Sequence, residues 1–357
     1  MGSRGFGTAP DGGEARVWHL ANGRTGMEAE VTDLGACVVA LRVPAASGEL
    51  VDVVLGYDDA AGYAANEPFF GAIIGRNANR TAGATLELAG RTVRLAANEG
   101  PHNNHSGPDL WRTRRWGLVS AGEARVELGL TSPDGDQGFP GELAVRVAYE
   151  LTDAGALTVT YEADPAATTI VNLTSHGYFN LNGHASGTVL GHTLAVAADE
   201  YVECGRDLVP TGRLVPVEGT PLDLREPRAL ADVLAAGDPS VACARGLDHC
   251  FCVCGYEPGA PGERGLEHLA ATLVGDRTGI ALDVLTDAPG LQVYTANYVG
   301  GERGKGGHVY RDHDAVALEA QFWPDATHHA GFPQPVWCPG RPYRSRTTYA
   351  FRAAERP

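Results

Sequence analysis

Short segments in which apolar residues alternate with other residues recur along most of this chain. In LAVRVAYEL (143–151) the apolar side chains occupy every second position, and ALTVTYEA (156–163) repeats the pattern after the turn sequence TDAG. A period of two places alternate side chains on opposite faces of a strand, so these segments predict a β-hairpin. Helix signals are few, and the clearest covers 228–235 after Pro227. The pattern favours an all-β sandwich or barrel with few short helices.

The charge and hydropathy of the chain argue against some classes of binding partner. The formal net charge of −16 repels phosphate backbones and anionic lipids, which argues against nucleic acid and membrane surfaces as partners. No stretch approaches the roughly 18 apolar residues of a membrane-spanning helix. We therefore expect a cytoplasmic protein, a monomer or homodimer, whose partner is a small molecule.

The first residues differ from the rest in composition. Residues 1–11 are rich in glycine and polar side chains, and they lack the apolar core of a secretion signal. We interpret them as a disordered leader. The turn-rich strand pattern continues across the possible linker YEPGAPGERG (256–265), so we expect a single domain over residues 12–355.

Four of the seven cysteines lie close together, and the tightest group is CFCVC. On a strand, Cys250, Cys252 and Cys254 would share one face. Their spacing differs from the about two to four intervening residues that are usual for zinc, and no second Cys pair of that kind exists. We interpret these residues, with Cys243, as buried thiols, because free cysteine behaves as a small hydrophobic side chain.

Sequence motifs typical of cofactor-binding sites and of common hydrolases are missing from this chain. It contains no glycine-rich phosphate loop between a strand and a helix, no HExxH motif and no GxSxG motif. The adjacent His328 and His329 would point to opposite faces of a strand, which makes a poor chelate. We therefore predict neither a metal nor a nucleotide cofactor.

Six polar segments lie within the β pattern. They are GRNANR (75–80), NEGPHNNHSG (98–107), VNLTSHGYFNLNG (171–183), GLDHCFCV (246–253), APGLQVYTANY (288–298) and ALEAQFWPDA (317–326). Carboxylates, amides and arginine suit sugar hydroxyls. Flat aromatic side chains such as Trp323, Tyr178 or Phe179 suit the face of a sugar ring, and we expect Trp323 and Tyr178 to pack around the site.

In this order and spacing, the six segments resemble the aldose 1-epimerase (galactose mutarotase) family, from about Gly35 to the C-terminus. The resemblance implies a large antiparallel β-sandwich of the galactose mutarotase-like type, with the sugar in an open cleft. It implies an isomerase that interconverts the α and β anomers of a free aldose such as galactose or glucose, without a metal or cofactor.

The resemblance also implies the roles of individual residues. It makes His176 the general acid and Glu319 the general base. The implied sugar-binding residues are Asn79, Arg80, His105, Asp248 and Gln292. Glutamate is ionised above about pH 4.3, and histidine is protonated below about pH 6.5. We expect neighbouring carboxylates to extend the protonated range of His176 upward.

Three positions depart from the family pattern. Ser106 stands where the family usually has glycine, and Asn77 and Thr81 replace apolar residues beside the GRxANR core. A side chain beside His105 would crowd or bind one sugar hydroxyl, so we predict that Ser106 tunes the choice of substrate. Two alternatives therefore stay open: a specialised member that acts on a modified sugar or another hemiacetal in a biosynthetic pathway, and a non-catalytic carbohydrate-binding module.

Overall fold

The computed structural model describes residues 2–259 and 264–353. In chain order, the strands are β1 (Ser3–Thr8), β2 (Glu14–Ala21), β3 (Glu28–Thr32), β4 (Val38–Pro44), β5 (Leu50–Asp52), β6 (Ile73–Ile74), β7 (Arg80–Thr81), β8 (Thr85–Leu88), β9 (Arg91–Arg94), β10 (Asn103–Asn104), β11 (Gly117–Ala121), β12 (Arg125–Ser132), β13 (Leu143–Thr152), β14 (Ala156–Pro165), β15 (Thr169–Ile170), β16 (Thr174–Ser175), β17 (Tyr178–Phe179), β18 (Thr193–Val196), β19 (Glu200–Cys204), β20 (Pro210–Pro216), β21 (Arg228–Ala229), β22 (Asp248–Cys252), β23 (His268–Val274), β24 (Ile280–Thr286), β25 (Gly290–Tyr294), β26 (Val316–Gln321), β27 (Val336–Trp337) and β28 (Tyr343–Ala353).

Helical segments are short. The α-helices are α1 (Ala60–Ala65), α2 (Leu230–Ala235) and α3 (Pro239–Ala244), and single 3₁₀ turns occur at Ala82–Ala84, Trp111–Thr113, Asp136–Gly138, Lys305–Gly307 and Ala326–His328. No helix within residues 2–259 and 264–353 is long and apolar enough to cross a membrane.

The largest sheet has nine antiparallel strands in the order β11-β12-β13-β14-β28-β24-β23-β18-β21. The predicted hairpin is confirmed: β13 and β14 pair in continuous register from Leu143 with Pro165 to Thr152 with Ala156. The alternating apolar side chains of these strands, such as Val145 on β13, are buried in the main apolar core. Because the period of two puts one set of side chains on one face, the sheet covers this core.

A six-stranded sheet in the order β17-β26-β25-β22-β19-β20 packs against the nine-stranded sheet. The Tyr349 hydroxyl on β28 donates to the carbonyl of Leu318 on β26 at 3.3 Å, and the rings of Phe179 and Tyr349 are 5.0 Å apart. A third sheet, β1-β2-β3-β4-β5, joins the same core, and Tyr149 on β13 donates to the carbonyl of Ala36 beside it. The predicted all-β sandwich is confirmed.

The prediction of a disordered leader is wrong for residues 3–8. These residues form β1, which pairs with β2 from Ser3 opposite Trp18 to Thr8 opposite Glu14. Phe6 is buried and its ring centroid lies 5.8 Å from that of Tyr63. A single apolar anchor in a glycine-rich segment shows no period of two, so residues 3–8 carry no recognisable strand pattern.

The predicted helix at 228–235 is confirmed for Leu230–Ala235 but is wrong at its start. Arg228 and Ala229 instead form β21, which pairs with β18 at the edge of the nine-stranded sheet. Hydrogen bonding to that edge outweighs a helical turn at these two positions.

The cysteine segment and the paired histidines differ from expectation. Cys250 is buried and Cys252 half-buried in one small apolar cluster, but β22 ends at Cys252 and Cys254 is exposed. The shared face and the buried-thiol interpretation therefore do not extend to Cys254, and Cys243 is exposed as well.

His328 and His329 lie at a 3₁₀ turn rather than on a strand. Both rings reach one carboxylate: His328 Nδ1 lies 2.6 Å from Asp325 Oδ1, and His329 Nε2 lies 3.4 Å from Asp325 Oδ2. The expectation of opposite faces is wrong because the turn brings both side chains to the same side. Over the part of the chain that the structure describes, no group of three or more His, Cys, Asp or Glu side chains is arranged to hold a metal ion.

Candidate active site

A cleft with a volume of about 220 Å³ opens on one face of the six-stranded sheet. Adjacent strands bring Glu319 (β26), Tyr294 (β25) and Asp248 (β22) to it: Asp248 is directly opposite Tyr294, and Glu319 lies two residues beyond the partner of Tyr294 on β26. The residues that line the cleft are Glu67, Pro68, Phe69, Asn79, Arg80, Asn104, His105, His176, Tyr178, Asp248, Tyr294, Tyr298, Val299, Glu302 and Glu319. Six of the seven site residues expected from the sequence are therefore in one place, and Gln292 is the exception.

Glu319 takes the face of β26 opposite to the apolar core. All six residues of the strand are buried, and Val316 and Leu318 belong to the core while Glu319 faces the cleft. Across the ladder, Glu319 is paired with Gln292 on β25. The alternation in VALEAQ thus gives a carboxylate at the base of the cleft, and only 2% of this residue is exposed.

His176 lies in the short connection between β16 and β17. Its backbone N–H donates to the carbonyl of Ala72 at 2.9 Å, and its carbonyl accepts from the N–H of Gly71 at 3.0 Å. The imidazole stacks between two rings, Tyr178 at 4.9 Å and Phe69 at 5.8 Å between centroids. Backbone and ring contacts therefore fix the direction in which the imidazole points.

The two side chains meet at the base of the cleft. Nε2 of His176 lies 3.5 Å from Oε1 of Glu319, longer than the usual ~2.7–3.2 Å of a hydrogen bond. Burial lowers the pKa of His176 to about 3. Burial, reinforced by the charge of Asp248 and opposed by that of Arg80, raises the pKa of Glu319 well above its usual value. The expected upward shift of the His176 pKa is wrong for this site, because desolvation dominates.

Asn79 and His105 are joined by two hydrogen bonds, one from backbone to ring and one from backbone to backbone. The N–H of Asn79 donates to His105 Nδ1 at 3.2 Å, and the N–H of His105 donates to the Asn79 carbonyl at 3.2 Å. The ring proton of neutral His105 therefore lies on Nε2. Burial, with the nearby His176 and Arg80, lowers the pKa of His105 well below its ordinary value, so the ring is neutral.

Arg80 and Asp248 form a polar wall. Nε and Nη2 of Arg80 donate to Glu99 at 2.7 and 3.2 Å, and Nη1 lies 3.7 Å from Asp248 Oδ2. Gln292 does not line the cleft; its Nε2 donates to Asp248 Oδ1 at 2.6 Å. The structure places Gln292 behind Asp248, where it orients that carboxylate.

Two of the aromatic residues suggested for the sugar face lie elsewhere. Trp323 borders a separate cavity and donates its Nε1–H to the carbonyl of Pro289 at 2.8 Å. Phe179 is in the core against Tyr349. The expectation that Trp323 packs around the site is wrong, and Tyr178 alone of the three lines the cleft. Strand alternation explains Phe179, since its neighbour Tyr178 takes the opposite face.

Several lining residues were not anticipated, namely Phe69, Asn104, Tyr294, Tyr298 and Glu302. Tyr294 could have been predicted to lie near the cleft, because it is two residues after Gln292 on β25 and so shares its face of the strand. Phe69 and Glu302 come from loops that tertiary packing brings to the cleft, and no local pattern marks them. Asn104 and Tyr298 lie within two of the six polar segments, 98–107 and 288–298, but nothing in those segments marked them individually.

The three departures from the family pattern contact one another away from the cleft. The Ser106 hydroxyl donates to the Asn77 carbonyl at 3.0 Å and accepts from the Asn77 N–H at 2.8 Å. Asn77 Nδ2 donates to Thr81 Oγ1 at 3.0 Å. Ser106 is buried and does not line the cleft, so direct contact with a sugar hydroxyl has no support here. Its φ of +60° accounts for glycine at this position elsewhere.

Comparison with known sequences identifies the family. The sequence profile of the family described as aldose 1-epimerase matches residues 16–350. The galactose mutarotase of Homo sapiens is 38% identical over 356 residues, covering 98% of both chains. The aldose 1-epimerase of Escherichia coli strain K12 is 36% identical over 347 residues, covering 97% of both chains.

Solved structures show the same fold. An aldose epimerase homologue from C. elegans superposes with a TM-score of 0.87 at 27% identity, covering 96% of this chain and 100% of the other. A galactose 1-epimerase from Lactobacillus acidophilus gives 0.84 at 25% identity, covering 99% of both. The resemblance drawn from the six segments is confirmed. The chain therefore belongs to the aldose 1-epimerase family, isomerases that interconvert the α and β anomers of free sugars.

Proposed function

We propose that this enzyme acts on a free aldohexose, with galactose and glucose as the first candidates, and that Glu319 and His176 are its catalytic base and acid. The observation that carries the proposal is their approach to 3.5 Å at the base of a cleft lined by groups suited to sugar hydroxyls. The relative from Homo sapiens is named galactose mutarotase, which supports galactose as the first sugar to test.

The reaction needs one base and one acid on the hemiacetal. Glu319 removes the proton of the C1 hydroxyl as the electrons of that O–H bond form the C1 carbonyl. The bond between C1 and the ring oxygen breaks, and the ring oxygen takes the proton of His176. Rotation about the C1–C2 bond presents the other carbonyl face. Closure by the same steps in reverse returns both protons and gives the opposite anomer.

Burial of the pair favours this proton transfer. Before ring opening the imidazole is charged and the carboxylate ionised; afterwards the imidazole is neutral and the carboxyl protonated. Low solvent access opposes charge on both groups, which is why the pKa of His176 is lowered and that of Glu319 raised. Without sugar, the single proton of the pair therefore rests on Glu319, and it must pass to His176 before the ring opens. Once the charged pair has formed, the same environment favours the ring-opened state, in which both groups are neutral again.

The polar wall holds the sugar in this proposal. Nη1 of Arg80 donates to a hydroxyl, Oδ2 of Asp248 accepts from one, and Nε2–H of His105 donates to another. Asn79 lines the cleft and fixes the ring of His105, whereas Gln292 acts by orienting Asp248. Phe69 and Tyr178 keep the imidazole of His176 in place.

The departures at Ser106, Asn77 and Thr81 gave reason to consider a specialised substrate. Because those side chains bond to one another outside the cleft, they supply no argument for a modified sugar. The presence of both the acid and the base argues against a non-catalytic binding module.

We further propose that the enzyme is a single domain, that it works in the cytoplasm as a monomer or homodimer, and that it needs no metal or nucleotide. The acidic composition argues against nucleic acid and anionic membrane surfaces as partners.

Polarimetry of freshly dissolved α-D-galactose and α-D-glucose tests the proposal. The optical rotation should relax to equilibrium faster than in buffer, at a rate proportional to protein concentration, with heat-denatured protein as the control. Relaxation at the buffer rate for a whole panel of aldoses would contradict the proposed function.

A further inference from the structure

The guanidinium of Arg80 is divided between two carboxylates in an unequal way. Two nitrogens of Arg80 donate to Glu99 in a bidentate contact, Nε to Oε2 at 2.7 Å and Nη2 to Oε1 at 3.2 Å. Nη1 faces Asp248 Oδ2 at 3.7 Å, a distance beyond a hydrogen bond. The cleft therefore contains a hydrogen-bond donor, Arg80 Nη1, beside an acceptor, Asp248 Oδ2. Glu99 binds the same guanidinium, and Gln292 binds the same carboxylate.

Glu99 is itself fixed by the turn that carries it. Its Oε1 also accepts from Asn104 Nδ2 at 3.3 Å, and Asn104 is the register partner of Arg80 in the β7–β10 ladder. Asn98 brackets the backbone of Asn104 with two hydrogen bonds, at 2.9 and 2.7 Å. The turn closes with reciprocal backbone bonds between Glu99 and His102. The carboxylate therefore accepts three hydrogen bonds in one defined orientation.

Without Glu99, Arg80 would lose the two hydrogen bonds that hold its guanidinium away from Asp248. An arginine side chain has several rotatable bonds, and its planar fork forms a bidentate contact with any carboxylate within reach. Only 14% of the Arg80 side chain and 12% of the Asp248 side chain are exposed, so water screens their attraction poorly. Arg80 would close the 3.7 Å gap and occupy the space between the two groups.

We infer that Glu99 is a positioning residue, which holds Arg80 Nη1 apart from Asp248 Oδ2 so that one sugar hydroxyl binds between them. That hydroxyl accepts from Nη1 and donates to Oδ2, which uses both of its hydrogen-bonding capacities. Glu99 behind Arg80 is thus the counterpart of Gln292 behind Asp248. The inference rests on the proposed function, because it assigns a role in binding the sugar.

Kinetics of Glu99→Ala and Glu99→Gln test this assignment. Both should raise KM for the preferred sugar by about tenfold or more and leave kcat little changed, because Arg80 binds the sugar and takes part in neither proton transfer. Glu99→Gln, which keeps one acceptor oxygen for Arg80, should show the smaller effect. It also serves as the test variant if Glu99→Ala does not fold.

Selectivity among sugars is a property that would not change if Glu99 had only a structural role. A panel of monodeoxy analogues of the preferred sugar should include one that wild type handles poorly, because it lacks the bound hydroxyl. The Glu99 variants and Arg80→Ala should lose discrimination against that same analogue. The double variant Arg80→Ala/Glu99→Ala should be no worse than Arg80→Ala, since Glu99 acts through Arg80.

The matched control is Asp223→Asn. Asp223 also holds an arginine through two hydrogen bonds, to Arg225 at 2.9 and 2.7 Å, and it lines none of the cavities described above. It should leave KM and selectivity at wild-type values. Unchanged KM and selectivity in the folded Glu99 variants, a loss confined to kcat, or additive effects with Arg80→Ala would overturn the inference. A wild-type protein inactive on every aldose would instead refute the proposed function.

Discussion

Nε2 of His176 and Oε1 of Glu319 are 3.5 Å apart, and both residues are at least 96% buried. Both groups border the same cleft, so one hemiacetal can contact the two side chains without a large displacement of either. Because Glu319 lies on β26 and His176 lies just before β17, the neighbour of β26 in the six-stranded sheet, their separation depends on the β17–β26 ladder. The pair is therefore the part of the molecule in which small changes should have the largest effect on rate.

Glu319→Gln should lower kcat by at least about a hundredfold, because the amide keeps the shape of the side chain but cannot accept the C1 hydroxyl proton. His176→Asn should do the same by removing the acid. Sugar binding should persist in both, as measured by titration with galactose. Glu150→Gln, an exposed carboxylate on β13, is the control and should behave as wild type. Near wild-type kcat in folded Glu319→Gln would remove the basis of the mechanism.

The pH dependence of kcat/KM should follow the shifted pKa values of the pair. The active pair carries one proton in total. A second proton binds to His176 below its lowered pKa, about 3, and the one remaining proton leaves Glu319 above its raised pKa. Activity should therefore be flat through mildly acidic pH and fall only on an alkaline limb. This plateau is wider than unperturbed groups would give, between about 4.3 and 6.5.

Asp248→Asn tests the origin of the alkaline limb. The charge of Asp248 raises the pKa of Glu319, so its removal should move the limb to lower pH, whatever it does to KM. Profiles corrected for buffer-catalysed mutarotation would show the shift. Asp153→Asn, in the exposed turn between β13 and β14, should not move the limb. A limb that stays in place or moves upward in Asp248→Asn would show that Glu319 does not control it.

The sequence was most informative where one strand acts by itself. Alternation predicted the β13–β14 hairpin, which is observed, and alternation in VALEAQ likewise explains why Glu319 and Leu318 take opposite faces of β26. The sequence was less informative where a second segment determines the position of a side chain. The motif made Gln292 a sugar-binding residue, but its amide donates to Asp248 on the neighbouring strand instead. Burial, which no linear pattern reports, reversed the expected pKa shift of His176.

Phe69→Leu should reduce kcat/KM by about tenfold, because it removes the ring stacked on His176 and loosens the orientation of the imidazole. Trp323→Leu should leave kcat/KM close to wild type and lower the melting temperature, since Trp323 packs on Phe332 at another cavity. Steady-state polarimetry and thermal melts of both variants give the comparison. A larger kinetic defect in Trp323→Leu than in Phe69→Leu would contradict this placement.

Dialysis against EDTA should leave activity unchanged, since neither proton transfer calls for a Lewis acid. Activity should be measured before and after dialysis, and again after adding back divalent ions. A loss of activity that one divalent ion restores would contradict this prediction.

Ser106→Gly and Ser106→Ala separate substrate tuning from structural support. Both variants remove two hydrogen bonds to the buried Asn77 backbone, with an expected cost of about 1–3 kcal/mol in the free energy of unfolding. Alanine also retains the strain of a φ of +60°, which glycine relieves, so Ser106→Ala should be the less stable of the two. This order reverses the usual effect of glycine on stability.

The ranking of sugars by kcat/KM should be the same in both Ser106 variants as in wild type, because the hydroxyl bonds to Asn77 and does not line the cleft. Denaturant unfolding gives the stability order, and a panel of galactose, glucose and their epimers gives the ranking. Thr85→Ala, which removes a half-buried hydroxyl bonded to the Ala82 carbonyl at 3.3 Å, is the control for loss of a hydrogen bond elsewhere. A changed ranking in Ser106→Gly, with the ranking of Thr85→Ala unaltered, would restore Ser106 as a determinant of specificity.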